Sequence, residues 1–426
     1  METYTQVILK SFDGKTEVLQ SLCHSITDCD HSTPQWTPTG KIVVRNFNIK
    51  NGRLLLDKLS FTDEETFKTR TARSKPESGD LIITREAPMG EICIIPKGID
   101  CCLGQRVVLI KPNSEKIDSE YLLYAIQSEF VQKQIKKSEK TGSTVSNLRI
   151  PDLKAILIPV TKSQQKIASV LSVLDTKIEL NNRINTELEA MAKTLYDYWF
   201  VQFDFPDANG KPYKASGGKM VYNATLKREI PEGWQNANVL QVANLHGGGT
   251  PTKVKADYWH GEIPFFTPSD SDNNIFSLKT EDYITEKGLK NSSTKLFQKN
   301  TVFITARGSV GRLALNSVPM AMNQSCYALQ AKEGISYAYL FFLTKELIHH
   351  LQVKASGSVF NSIVSSDIKH TNLAIPGSVK LIDVYKKIAE PTFEKINLIT
   401  TENNQLETLR DYLLPMLMNG QVTVTS

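Results

Sequence analysis

The sequence predicts an α+β protein in which two similar domains of mixed α and β structure are joined by two long antiparallel coiled-coil helices, an internal repeat with pseudo-twofold symmetry. Three observations predict it. Gln164 to Phe200 steps by three and four residues through Ile167, Leu171, Leu174, Ile178, Asn181, Asn185, Leu188, Ala192, Leu195 and Trp199, an apolar seam sustained over several heptads. Tyr385 to Leu417 repeats the stepping through Ala389, Thr392, Ile396, Ile399, Asn403, Leu406, Arg410, Leu413 and Leu417. The segments that precede the two seams also resemble one another.

At about 1.5 Å per residue the first helix would run roughly 55 Å, too long for one small core and suited to a spacer. Asn185 matches Asn403, Leu188 matches Leu406 and Leu195 matches Leu413. An asparagine in an apolar seam weakens packing but fixes register, because only a polar neighbour satisfies it.

Within the repeat, Gly79 to Ile110 and Asn300 to Gln330 each read as an apolar strand, a glycine-containing turn and further strands ending in bulky aliphatics. Thr84 falls on Thr305, Gly90 on Gly311 and, after a two-residue slip, Gln105 on Gln324. Helices over Ser119 to Lys137 and Ile335 to Leu351 follow. Next come two glycine-serine loops, with Gly142 and Ser143 on Gly357 and Ser358, and Asp152 on Asp367. Between the halves, Asp204 to Trp234 is rich in Gly, Pro, Lys and Asn without an apolar period, and reads as a connector.

The chain has 426 residues, 40% hydrophobic and 8% aromatic, enough for two to three folded cores. A net charge of +5 permits nucleic-acid binding without demanding it. The start METYTQVILKSF has no basic stretch followed by an apolar run, and no window approaches a membrane span, so neither export nor insertion is expected. The six cysteines lack paired metal-ligand spacing and read as cytoplasmic thiols; a metal at Cys23, His24, Cys29 and His31 lacks a second cluster to complete it.

Catalytic patterns are near misses. GGGTPTK at Gly247 to Lys253 has Thr252 where a phosphate loop needs glycine, and reads as a flexible surface turn. The sequence holds no HExxH, no GxSxG and no Asn-Pro-Pro-aromatic tetrapeptide. A nuclease-like set assembled from Pro151, Asp152, Asp175 and Lys177 is undone by the last two lying on the seam helix. No catalytic and no metal-binding residue is assigned.

The recurring polar residues sit in loops. In the first half they are Lys41, Arg45, Asn46, Arg85, Gln105, Arg106, Lys140, Ser143 and Asn147. In the second they are Thr250, Lys253, Ser269, Asp270, Arg307, Asn323, Gln324, Ser358 and Asn361. Such side chains hydrogen-bond base edges and phosphates, and arginine offers a planar fork for guanine. The bland alternative is solvated turn residues. Basic and aromatic residues are added at Trp36 to Arg53 and Lys253 to Ile275, where the halves diverge most; divergence there fits two different targets.

Over essentially its whole length the chain resembles the specificity subunit of type I restriction-modification enzymes. The resemblance is carried by GDLIITREAPMG, NTVFITARGSVG, GGGTPTKVKADYW followed by IPFFTPSD, the helix ending LYDYWFVQFDFP, and the connector NGKPYKASGGKMV. It implies target-recognition domains at 1–160 and 235–378, each reading one half of a split, asymmetric site in double-stranded DNA. It further implies spacer helices at 161–200 and 379–420, separated by the connector 201–234, which set the gap and dock two modification subunits. Those subunits would bind S-adenosylmethionine and methylate adenine, and restriction subunits would add ATP- and Mg-dependent translocation and cleavage; this chain would hold no cofactor, cross no membrane and work in the prokaryotic cytoplasm. REAPMG departs from the usual RGxxG, so the first domain's loop is expected to be rearranged. The rival expectation is a coiled-coil assembly scaffold that reads no DNA, with a fused methyltransferase or nuclease disfavoured by the missing motifs.

Overall fold

The computed structural model describes residues 14–137, 147–271, 274–355 and 361–424. It divides into two compact units, Met1–Ile178 with Gln405–Ser426, and Glu179–Asn404. The division passes through both long helices, Gln164–Tyr196 and Val379–Met418, so each unit owns part of each.

In the first unit the main sheet is antiparallel, in the order Cys23–Asp28, Val107–Pro112, Leu81–Thr84, Ile92–Ile94. Leu81–Thr84 is buried on both faces, which is why its sequence is an unbroken apolar run instead of an alternation. A smaller sheet pairs Cys101–Leu103 parallel to Lys41–Val44, then Ser60–Thr62 and the edge strand Trp36–Thr37 antiparallel. Thr16–Val18 pairs with Leu157–Pro159 at the entry to the long helix.

The second unit carries the same order. Its main sheet runs Ala243–Gly247, Cys326–Ala331, Val302–Thr305, Leu313–Asn316, with Phe276–Ser277 added in parallel at the edge. Ala321–Met322 lies parallel to Trp259–Phe266, which pairs antiparallel with Asp282–Ile284. Trp234–Ala237 pairs with Leu373–Pro376.

One predicted helix is interrupted. The first unit has Ser119–Gln127 and Glu129–Lys137 in place of a single element, because Ser128 is extended and its hydroxyl donates to Ala125 O at 2.6 Å. The second unit keeps one helix, Tyr337–Lys354. The connector is folded: Met220–Asn223 and Arg228–Pro231 form a hairpin, and Phe205 stacks on Tyr213 and Trp234. All six cysteines are free thiols. Burial pushes Cys23, Cys93, Cys101 and Cys326 up to about 12.

The seam residues enter the unit cores. In the first unit Ile167 and Leu171 join a cluster with Leu417 and Met418, with Leu413 packed against it. In the second, Ala192, Tyr196 and Trp199 join Ile382, Tyr385, Ala389 and Ile396, with Leu188 and Leu195 against them. Ile178 is buried, and Leu174 and Leu406 are partly so. The asparagines form a buried polar layer in the second unit. Asn181 Nδ2 donates to Asn403 Oδ1 at 2.8 Å, Asn403 Nδ2 to Asn182 Oδ1 at 2.8 Å, and Asn185 Nδ2 to Thr400 Oγ1 at 3.2 Å. Pairing 181 with 403 and 185 with 400 means the two helices run antiparallel there.

Arg410 has a reason to sit in the seam. Within the first unit its Nη1 donates to Asp175 Oδ1 at 2.9 Å, while Tyr124 Oη donates to Oδ2 at 2.7 Å. Asp175 is thereby committed to packing, and Asp152 pairs with Arg149 at 2.6 Å, so the nuclease-like set does not assemble. Among the described residues no helix is long and apolar enough to cross a membrane.

Candidate nucleic-acid interface

Each unit brings four loops together at the end of its central strand, and the hydrogen-bond frame of those loops is the same in both. In the first unit the strand ends at Thr84, whose N–H donates to Glu91 O at 2.8 Å and whose carbonyl accepts from Gly90 N at 3.0 Å. Thr84 Oγ1 donates to Pro88 O at 2.6 Å and accepts from Glu91 N at 3.0 Å. In the second unit Thr305 N donates to Arg312 O at 3.0 Å, its carbonyl accepts from Gly311 N at 2.8 Å, and its hydroxyl bonds Ser309 O and Arg312 N. The first loop thus keeps the hydrogen-bond frame of the second, but differs from it in a cis peptide between Ala87 and Pro88. Ala87 takes the place of Gly308 and adopts the same left-handed backbone, with φ 46° against 80°.

The neighbouring loops match as closely. Arg85 N donates to Arg106 O, and Ala306 N to Ser325 O, both at 2.8 Å, which places Gln105 and Gln324 at equivalent positions. Strand Lys41–Val44 runs into the short 3-10 turn Asn46–Asn48, and Trp259–Phe266 runs through Thr267 into Pro268–Asp270. In each turn the last residue caps the entry: Arg45 N donates to Asn48 Oδ1 at 3.0 Å and Thr267 N to Asp270 Oδ2 at 2.7 Å. Asn46 Nδ2 ties its turn to Ala87 O at 2.8 Å. The third tie is Leu148 N to Arg85 O at 3.0 Å and Ile363 N to Ala306 O at 2.9 Å.

The expected binding residues fall into two groups on this frame. Several are spent inside the protein. Arg85 Nη1 donates to both carboxylate oxygens of Asp28, Nε to Leu148 O and Nη2 to Asn147 Oδ1, leaving only 12% of the side chain exposed. Asp270 takes both Thr267 donors and Glu281 N. Lys41 pairs with Asp100 at 2.7 Å, and that hydrogen bond raises its pKa. Gln105 donates to His31 O at 2.5 Å, and Asn323 Oδ1 accepts from Ser325 N.

Others face outward. Arg106 has more than half its side chain exposed and touches Glu86 at 3.2 Å. Arg307, Gln324, Ser269 and Asn361 are exposed, and Thr250 donates to Gln324 Oε1. Lys253 lies 5.7 Å over the Trp259 ring, whose Nε1 donates to Thr252 O. Lys140, Ser143 and Ser358 lie outside the described residues.

GGGTPTK is packed in its middle, with Gly249 and Pro251 buried, and exposed at Gly247, Thr252 and Lys253. A Cβ at Gly248 would stand 1.9 Å from Asn323 O, and one at Gly249 2.1 Å from Ser293 Oγ, so glycine lets this loop close onto Asn323 on one side and Ser293 on the other. Sequence reasoning missed the aromatic partners of Arg45. Its guanidinium lies 5.0 Å from the Trp36 ring and 4.6 Å from the Phe47 ring, both rings being exposed. Two aromatics flanking an arginine near a strand end are the signal that could have found them. Among the described residues no group of three or more His, Cys, Asp or Glu side chains is gathered as a metal site.

The model of the type I restriction modification DNA specificity domain matches residues 27–190 and again 231–408. The chain is 28% identical over 371 residues to the type I restriction enzyme MjaIX specificity subunit of Methanocaldococcus jannaschii, covering 85% of this chain and 81% of that protein. It is 23% identical over 429 residues to the HindI specificity subunit of Haemophilus influenzae, covering 88% and 94%. Its fold is similar to the crystal structure of a type I restriction-modification S subunit from M. genitalium, with a TM-score of 0.57 at 17% identity, covering 96% of this chain and 97% of that one.

Proposed function

This chain belongs to the type I restriction modification DNA specificity family, and from that premise we propose that each of its two recognition domains reads one half of a split, asymmetric site in double-stranded DNA. Its function is DNA-sequence specificity in a type I restriction-modification system. The observation that carries the two-half reading is one loop frame built twice, around Thr84 and around Thr305, with different side chains at its outward positions. A shared frame fixes where side chains meet a groove, and the differing residues fix which bases they accept.

In this reading the recognition domains occupy 1–160 and 235–378, and the paired helices form a pseudo-twofold spacer that sets the gap between half-sites. The chain is not itself an enzyme. S-adenosylmethionine, ATP and Mg belong to partner subunits in the cytoplasm. Support for docking two modification subunits comes from apolar side chains left exposed on the long helices, Leu180, Ile184 and Met191 on one, Val384, Ile388 and Leu398 on the other. Their heptad-like spacing suits further helices.

The test is to express the chain with its cognate modification subunits and map methylated adenines across a genome by single-molecule sequencing. A bipartite motif with a fixed unspecified gap is expected. Methylation without such a motif would leave only an assembly scaffold.

A further inference from the structure

Six arginines of the first unit have at least one donor paired with a carboxylate or carbonyl. Arg85 is held by Asp28, Arg106 by Glu86, Arg53 and Arg410 by Asp175, Arg149 by Asp152, and Arg70 by the carbonyls of Leu103 and Ser32. Arg45 differs. Its guanidinium is positioned by two aromatic faces, Trp36 and Phe47, and donates to no carboxylate or carbonyl among the described residues. Cation–π attraction to the two rings holds the guanidinium at this place and spends none of its N–H donors.

The backbone beneath is equally fixed. Arg45 N is capped by Asn48 Oδ1, the turn is tied to the Thr84 loop through Asn46, and a Cβ at Gly104 would press the Arg45 Cγ at 3.2 Å. Phe47 occupies the position that Ser269 holds in the second unit, so this pair of ring contacts belongs to the first unit alone.

We propose that Arg45, held against the Trp36 and Phe47 rings, is the residue with which the first unit recognises guanine, its fork bonding the O6 and N7 acceptors in the major groove. The proposal rests on the DNA-reading function above and narrows it to one base in one half-site. A guanidinium already placed against two rings before binding loses less freedom on meeting a guanine than a free arginine does. Trp36 and Phe47 are positioning residues that act through Arg45.

The experiment uses the complex of this chain with its modification subunits and scores methylation on a duplex library randomised within the motif found for the wild type. Arg45→Lys keeps the charge and removes the fork. It should cut discrimination for guanine at one position of one half-site by about 5- to 150-fold, the worth of a bidentate pair, while the other half-site stays unchanged and reports that the complex is intact. Phe47→Leu should weaken discrimination at that same position and no other. A loss spread uniformly across all sequences, with the motif intact, would make Arg45 a phosphate contact and overturn the proposal. So would a wild-type motif with no guanine in the affected half. A wild type with no bipartite motif would instead remove the DNA-reading function itself.

Discussion

Thr84 and Thr305 are fully buried hydroxyls at the ends of all-apolar strands, and each holds a recognition loop by accepting one backbone N–H and donating to one carbonyl. Replacing either by valine keeps the shape and strands both backbone groups, which should cost about 1–3 kcal/mol in a denaturant titration. No loss from Thr84→Val would mean the loop is held by its other ties. Glu346 offers a pH-dependent case. Tyr196 donates to its Oε2 at 3.1 Å, and burial holds its carboxyl above the ordinary value of 4.5. A raised acid keeps its proton longer in the folded state than in the unfolded one, so stability falls as pH rises from 4.5 through the raised value. Glu346→Gln should therefore melt higher than wild type at neutral pH, with the gain vanishing at pH values below 4.5; an equal gain at both ends would assign it to packing. At this scale the sequence was a partial guide. It placed Arg85 and Arg45 together as base readers, yet they have opposite situations. Asp28, which spends Arg85, lies 57 residues away, and nothing in local pattern announces such a partner.

The long helices were legible because a heptad seam is a property of one segment and its burial needs no knowledge of the partner. The asparagine layer shows what the seam leaves to tertiary structure. Asn185 and Asn403 hold matching places in the two seams, yet they bond Thr400 and Asn181 respectively. Asn403→Leu alone would leave Asn181 and Asn182 facing an apolar side chain, at a cost of about 1–3 kcal/mol. Adding Asn181→Leu should recover that loss or exceed it, since an apolar pair avoids burying amides, and should do so at the expense of register. Chemical unfolding of the single and double variants reads this directly, and additive losses would contradict a bonded layer. The break at Ser128 was not legible. SEFVQK is compatible with a continuous helix, and the interruption comes from the extended Ser128 backbone and its hydroxyl bond to Ala125 O. The connector was read from composition, which hid its hairpin and the Phe205 stack.

At the scale of the whole molecule, the repeated frame predicts that the two halves of specificity vary independently. Arg307 in the second unit is exposed beside the Thr305 loop, as Arg106 and Arg45 are associated with the Thr84 loop in the first. Arg307→Ala should weaken or relax one half-site only, and Arg45→Lys the other. In the double variant the two losses should add, because residues in separate cores share no partner. The net charge of +5, from 50 basic and 45 acidic residues, bears on how the measurement is made. So small an excess neutralises few phosphates, so the isolated chain should bind duplex DNA with a shallow salt dependence and the full complex with a steep one. Half-site losses must accordingly be compared in the complex at one fixed ionic strength. Equal losses at both half-sites from Arg307→Ala would mean that the units do not read separately, and would return the repeat to a structural device without a division of sequence between its copies.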